Sequence, residues 1–507
     1  MKLIRKCLPG LPALAAMFAV ACTTPLQVED LPHEPALAAS EAPFWNGISD
    51  AQSGDWFYLL NIGEEALEWR LRMIDSALVS IDLETFLWKP DQSGRRIVSH
   101  ILAAADRGVK VRFLLDDSFT MHEGLALHAM DEHPNISFRL YNPFGNRSDS
   151  AVWRELFSAG EFARTNHRMH NKALVVDDRA ALIGGRNLAD EYFGFNDKFN
   201  FRDMEVITVG SNVPHVTAHF DAFWNSGWAF RLEDVFTEPE DAPDLEYYRV
   251  QLEKNTPPSY ALSAEALAAE WQAIAKVAYP GRADFFFDLP ASRDPSAPDE
   301  MPDQLAGELE RMIERAETEV ILVSAYLVPT KELEAVVERI EARGVNVRIL
   351  TNSLQSNNHL AAHAAYRGHL NRLVDHGADL HEVRTTAVDR DLYMQSPVDD
   401  KQLGLHAKLL LVDDDISFIG SCNLDPRSLK INTEVGLIIE SEALNRALRE
   451  YLAIDFEPRN AWAVQRSEDG KLVWVGDDQV SRHQPADSSI QRLEDWFINL
   501  LPIDEQM

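Results

Sequence analysis

Arg107-Gly108-Val109-Lys110-Val111-Arg112 returns 236 residues later as Arg343-Gly344-Val345-Asn346-Val347-Arg348. The hydrophobic pattern around each copy is the same. Upstream of the first, Val79, Ile81 and Leu83 alternate as in a strand, and Ile97, Val98, Ile101, Leu102 and Ala105 keep helical spacing; Val109 to Leu115 then reads as a buried strand. Upstream of the second, Val320 to Leu327 is strand-like, and Leu333, Val336, Val337 and Ile340 fall at i, i+3, i+4, i+7. Val345 to Leu350 repeats the closing strand. Each stretch is a β-α-β unit, so the chain predicts two copies of one α/β domain, at about 45 to 235 and 285 to 465. With 507 residues it is long enough for both copies to bury their own cores.

The same offset carries the chemistry. His170-Asn171-Lys172 is followed by Asp177 and then by Gly184, Gly185 and Asn187; His406-Ala407-Lys408 is followed by Asp413 and then by Gly420, Ser421 and Asn423. A chance H-x-K-x4-D is expected on the order of a few hundredths of a time in such a chain, so two copies in register with a backbone repeat are a strong signal. Alternate side chains of a strand share a face, which lets each His and its Lys point together at one phosphate. For phosphodiester exchange, the chemistry implied by the family resemblance given below, a covalent route needs a nucleophile on one side of phosphorus and a proton donor for the leaving alcohol on the other. One domain supplies one histidine, so the site is expected between the domains. On that same resemblance Lys172 and Lys408 would neutralise the non-bridging oxygens, and Asn187 and Asn423 would donate hydrogen bonds as charge develops, which removes the need for a metal or other cofactor.

Asp177 and Asp413 complete the two motifs and are counted with the catalytic set. Each nevertheless follows a strand-like run (Ala173 to Val176; Leu409 to Val412) and sits where a turn is expected, which favours a structural role. His167 has no Cys or carboxylate cluster to complete a ligand set, so it is expected to hydrogen-bond and not to hold metal.

Acids outnumber bases, 81 Asp plus Glu against 48 Lys plus Arg, for a net charge of −33. Such a surface repels a nucleic-acid backbone, and it gives anionic lipid no broad electrostatic purchase. Membrane contact therefore needs another anchor. Lys2, Arg5 and Lys6 form a basic start, Leu8 to Ala21 an apolar run too short to span a bilayer, and Ala19-Val20-Ala21 a small-residue site before Cys22. This resembles a bacterial lipoprotein signal, which implies cleavage before Cys22, lipidation there and, with Thr23 next, sorting to the periplasmic face of the outer membrane. The expected organisation is a signal at 1–21, a tether at 22–43, a first domain at 44–235, a connecting segment at 236–284 with a helix from Ala264 to Val277, and a second domain at 285–507 with a C-terminal extension. In that extension Leu493, Trp496, Phe497 and Leu500 form an apolar stripe; its neighbours Glu494 and Asp495 favour docking on the protein over insertion in a membrane.

The paired motifs resemble the phospholipase D superfamily over nearly the whole mature chain. The runs Arg168 to Lys172, Gly184 to Asn187, Ala189 to Gly194, Leu350 to Leu354, Asn423 to Ser428 and Asn432 to Glu434 are similar to bacterial cardiolipin synthases of the C type. The first strand departs from that group, with Glu84-Thr85-Phe86 where Gln-Tyr-Tyr is common. The resemblance implies two tandem phospholipase D-like α/β domains, each a mixed sheet flanked by helices, with the active site at their interface. It implies a phosphatidyltransferase that loads His170 from a phospholipid and passes the group to phosphatidylglycerol, making cardiolipin, with His406 as general acid and then base. Symmetry leaves the reverse order open. It further implies phosphatidylglycerol as substrate, with or without phosphatidylethanolamine, no nucleic acid, and Asp203 and Glu434 as acids that orient the imidazoles. The alternative is a phospholipase D that gives the group to water and releases phosphatidic acid; how the pocket excludes water separates the two. A binding module on a degenerate fold is disfavoured, because neither motif is degraded. Oligomeric state is not set by the sequence.

Overall fold

The computed structural model describes residues 32–498 apart from 36, 38–42, 50–53, 121–123, 146–161, 238–241, 257–261, 291–303 and 478. The expected signal, Cys22 and most of the tether lie outside the described residues.

Alternating apolar runs give the first half its strands: β1 (Asp55–Leu60), β2 (Ser80–Thr85), β3 (Lys110–Asp116), β4 (Ile136–Tyr141), β5 (Ala173–Val176), β6 (Ala180–Gly184), β7 (Phe199–Arg202), β8 (Glu205–Val209) and β9 (Ala229–Arg231). The second half contributes β10 (Tyr279–Phe287), β11 (Glu319–Val323), β12 (Asn346–Asn352), β13 (Asp379–Val383), β14 (Gln402–Leu405), β15 (Leu409–Val412), β16 (Ile416–Gly420), β17 (Val435–Glu440), β18 (Ala461–Arg466), β19 (Leu472–Val475) and β20 (Val480–Ser481). The repeated Arg-Gly-Val marks the same corner twice. Helix Gln92–Asp106, capped by Asp91 on the Gly94 amide, ends at Gly108 with φ +97°, and helix Lys331–Ala342, capped by Thr330, ends at Gly344 with φ +87°. Both glycines have open space where a Cβ would stand, so the left-handed backbone alone requires them.

Hydrogen bonding runs β9-β4-β3-β2-β5-β6-β8-β1 through the first half and β10-β17-β16-β15-β11-β12-β13-β18-β19-β20 through the second. β2, β3 and β4 are parallel, as are β11, β12 and β13; the other pairs in these sheets are antiparallel. Read outward from the β1–β10 pair, the eight strands of the first half match the first eight of the second, which then continues into β19 and β20. β10 spans the position 284/285 where the sequence suggests a boundary. The Pro- and acid-rich composition places a connecting segment there, and the strand shows that the connection joins the two sheets. The helix expected inside the connecting segment is present as Ala264–Val277.

Period-two alternation explains how the halves lock together. Leu174 and Val176 face the first half's own helices, while Ala173 and Val175 face a cluster that also holds Leu409, Leu411, Ile419 and Leu437 from the second half. Leu410 and Val412 turn to the second half's helices. β5 and β15 are thus buried on both faces, which is why they read as continuous apolar runs. The site between the halves rests on a shared apolar core.

The C-terminal stripe differs from expectation. Helix Ser489–Ile498 does dock on the protein, but Leu493 and Trp496 remain exposed while Asp495 is buried.

Candidate active site

Each histidine enters the site from a strand that crosses between halves. β14 pairs in parallel with β7, and the amide of His406 continues that ladder by donating to the carbonyl of Arg202 at 2.8 Å. On the other side Met169 bridges Thr433 in parallel, and the amide of His170 donates to the carbonyl of Thr433 at 2.9 Å. The residue after each acceptor is an acid, Asp203 or Glu434. Parallel pairing therefore sets each acid against the histidine of the opposite half. Nδ1 of His406 lies 2.8 Å from Asp203, and Nδ1 of His170 lies 2.9 Å from both carboxylate oxygens of Glu434. With Nδ1 held, Nε2 is the nitrogen left for chemistry.

Buried support fixes these pairs. The guanidinium of Arg168 forks onto Asp116, which also accepts the amide of Met169, so the chain is clamped one residue before His170. Gly185 has no room for a side chain: a Cβ there would stand 2.7 Å from a carboxylate oxygen of Asp203. At the equivalent position Ser421 instead donates its hydroxyl to Glu434 at 2.5 Å.

Both histidines line one cleft of about 590 Å³, together with Asn187 and Asn423. The Oδ1 atoms of the two asparagines are buried and meet no donor among the described residues. Lys172 and Lys408 are buried behind the histidines: each ammonium donates to the backbone carbonyl of its own histidine, Lys172 at 2.6 Å. Their charge reaches the cleft through space.

Asp177 and Asp413, counted with the catalytic set by motif but favoured for a structural role by their turn-like setting, lie apart from the histidines by the length of β5 and β15 and take the structural role. Both take left-handed backbone, φ +57° and +49°, at hairpin turns. Asp177 accepts the amides of Leu78, Val79 and Ser80 and the indole N–H of Trp45; Asp413 accepts the amides of Glu317, Thr318 and Glu319. They organise the start of β2 and β11. His167 lies 2.8 Å from the carbonyl oxygen of Ile431, an ordinary hydrogen bond. Cys22 is outside the described residues.

Residues 71–224 and 309–455 each match the family described as cardiolipin synthase, PLD-like domain. Cardiolipin synthase C of Escherichia coli K12 is 31% identical over 463 residues, covering 87% of this chain and 93% of that protein. The chain belongs to the phospholipase D superfamily. An uncharacterised protein of Helicobacter pylori J99 is 27% identical over 494 residues, 96% of each chain. Among solved structures, phosphatidylserine synthase of Haemophilus influenzae superposes with a TM-score of 0.57 at 16% identity, over 92% of this chain and all of that one, a likeness of fold.

Burial dominates the electrostatics of this phospholipase D-like site. It drives His170 well below the ordinary histidine range, with Lys172 and Lys408 adding to the effect, and takes His406 down to about 3, with Lys408 next in weight. Burial also lowers Lys172 to about 7 and Lys408 to about 8. The two acids diverge. Burial pushes Glu434 up to about 8, while at Asp203 it is outweighed by the hydrogen bond and charge of His406, which hold the carboxyl at about 2. Burial thus favours the uncharged form of both imidazoles. A negative phosphodiester between them would oppose the lysines and favour the imidazolium.

Sequence reasoning misses the aromatic walls. Phe86 packs edge-on against His170 with ring centres 5.0 Å apart, and Tyr192 and Phe201 flank His406 at 4.9 and 5.0 Å. Phe86 lies in the stretch where this chain departs from the synthase group. Arg427, also lining the cleft, reaches across the halves to Asn166.

Proposed function

We propose that the protein is a phosphatidyltransferase that makes cardiolipin from phosphatidylglycerol and a phospholipid donor, phosphatidylglycerol itself or phosphatidylethanolamine. The observation that carries this is the crossed pairing: two histidines from two halves line one cleft, each with Nδ1 held by the other half's acid. The identity to a cardiolipin synthase over most of the chain supports the substrate class. Nε2 of His170 attacks phosphorus, the bond to the leaving alcohol breaks, and His406 gives that oxygen its proton. A hydroxyl of phosphatidylglycerol then loses its proton to His406 and attacks the phosphohistidine, restoring His170. Lys172 and Lys408 stabilise the charge on phosphorus oxygens, with Asn187 and Asn423 as donors. Ionised Asp203 is the partner that a proton-carrying His406 needs, which supports this order of roles. The aromatic walls suit lipid and limit water near the phosphohistidine.

Lipid mass spectrometry after incubation of the purified protein in mixed micelles of phosphatidylglycerol, with and without phosphatidylethanolamine, tests the proposal. Cardiolipin is the expected main product. Phosphatidic acid as the main product at every acceptor concentration would assign the protein to hydrolysis.

Attachment is proposed at Cys22, by cleavage before it and lipidation, on the periplasmic face of the outer membrane. Intact-mass analysis of the membrane fraction should find a diacylated terminus at Cys22. A mature terminus elsewhere would exclude it.

A further inference from the structure

Helix Ser489–Ile498 sits on the protein with its polar face inward. Buried Asp495 lies 2.7 Å from Nδ1 of His363 and accepts from Arg367 at 3.3 Å. Gln491 donates to the carbonyl of Leu354 and Arg492 to that of Gln484. Outward stand Ile490, Leu493 and Trp496, exposed by 67, 62 and 48%, in a row at i, i+3, i+6. An ordinary surface helix has the opposite polarity. A ridge of three large apolar side chains, held outward by a buried carboxylate–imidazole contact, is shaped to meet apolar surroundings.

Its place in the fold indicates which. His363 and Arg367 belong to helix Leu360–Arg367, and the start of that segment, His359 and Ala362, lines the active cleft. Packed helices lie ~8–10 Å apart, so the ridge stands one helix layer from the cleft wall. On the other half Phe119, 51% exposed, lines the same cleft and packs edge-on against Phe86. Exposed apolar groups thus border the cleft on both halves. With a net charge of −33, adhesion through basic residues to anionic lipid is not available, whereas insertion of an apolar ridge ending in Trp is. The geometry points to Ile490, Leu493 and Trp496 as a bilayer-docking surface, which inserts among zwitterionic lipids and brings the cleft to its substrates. This rests on the lipid reading of the cleft given above.

Vesicle flotation tests it without needing turnover, so the result stands apart from whether the protein makes cardiolipin. The mature chain from residue 22 carries Cys22→Ser in every arm, so that neither the apolar run Leu8 to Ala21 nor lipid at residue 22 contributes. It should float with phosphatidylcholine–phosphatidylethanolamine vesicles and continue to do so at high salt. Combined Ile490→Ser, Leu493→Ser and Trp496→Ser should weaken binding at least about tenfold, while turnover of monomeric short-chain phosphatidylglycerol is unchanged. Trp496→Phe alone should remove most of the quenching of protein fluorescence by brominated lipid. Equal flotation of the parent and the triple variant would overturn the proposal, as would a salt-labile attachment. A concentration-dependent dimer that the triple variant abolishes would assign the ridge to a second copy of the chain.

Discussion

Glu434 receives His170 from across the molecule: the carboxylate belongs to the second half, the imidazole to the first, and both oxygens lie 2.9 Å from Nδ1. Asp203 and His406 repeat the relation in the opposite direction at 2.8 Å. Neither half therefore supplies both members of either pair that lines the cleft. The site exists only when the shared core, in which Ala173 and Val175 meet Leu409 and Leu411, is assembled.

The two acids should not be equivalent. Asp203 stays ionised, held at about 2, whereas Glu434 is pushed up to about 8. Asp203→Asn should lower kcat by about 100-fold or more with little change in KM, and Glu434→Gln by less, because an amide resembles the protonated carboxyl already favoured at that position. Steady-state kinetics of the two variants measures the gap. Equal losses would contradict it.

Alkaline pH should weaken the enzyme through its lysines. Lys172 at about 7 and Lys408 at about 8 carry charge below those values and lose it above them. Attraction for the phosphodiester is then present at low pH and lost as pH rises through 7 to 8, so kcat/KM should fall on that limb. Lys172→Arg keeps its charge and should move the fall upward in a pH–rate profile. An unchanged limb would separate it from Lys172.

Asp177→Ala should harm stability and spare chemistry. It leaves three backbone amides and the Trp45 indole without their acceptor, a cost on the order of 3 kcal/mol. Denaturant unfolding should show this loss, while kcat per folded molecule stays near that of the parent. Asp413→Ala, whose contacts lie nearer solvent, should cost about 1 kcal/mol.

Much of this site is legible in the sequence. The repeat, the β-α-β units and the helix Ala264–Val277 follow from local periodicity, and His170 and His406 stand out because their spacing recurs at the same offset. What periodicity cannot carry is which strand crosses to which half. Asp203 and Glu434 each follow their own motif in sequence, yet parallel pairing of β14 with β7, and of Met169 with Thr433, hands each to the other histidine. β10 is not legible because it straddles the end of the connecting segment, carries Pro280 and Gly281, and pairs on both sides with strands far away in sequence. The aromatic walls are invisible as motifs, since Phe86 and Phe201 look like any strand residue until the imidazoles are placed beside them.

The proposed mechanism needs both histidines to act on one phosphorus, with His170 carrying the bond. Tandem mass spectrometry of His406→Asn and His170→Asn, each incubated with phosphatidylglycerol, tests this most directly. A phosphatidyl adduct on His170 in the first variant, no adduct in the second, and loss of steady turnover in both are the predicted results. An adduct on His406 in the His170→Asn protein, or either variant keeping a tenth or more of parental turnover, would contradict it.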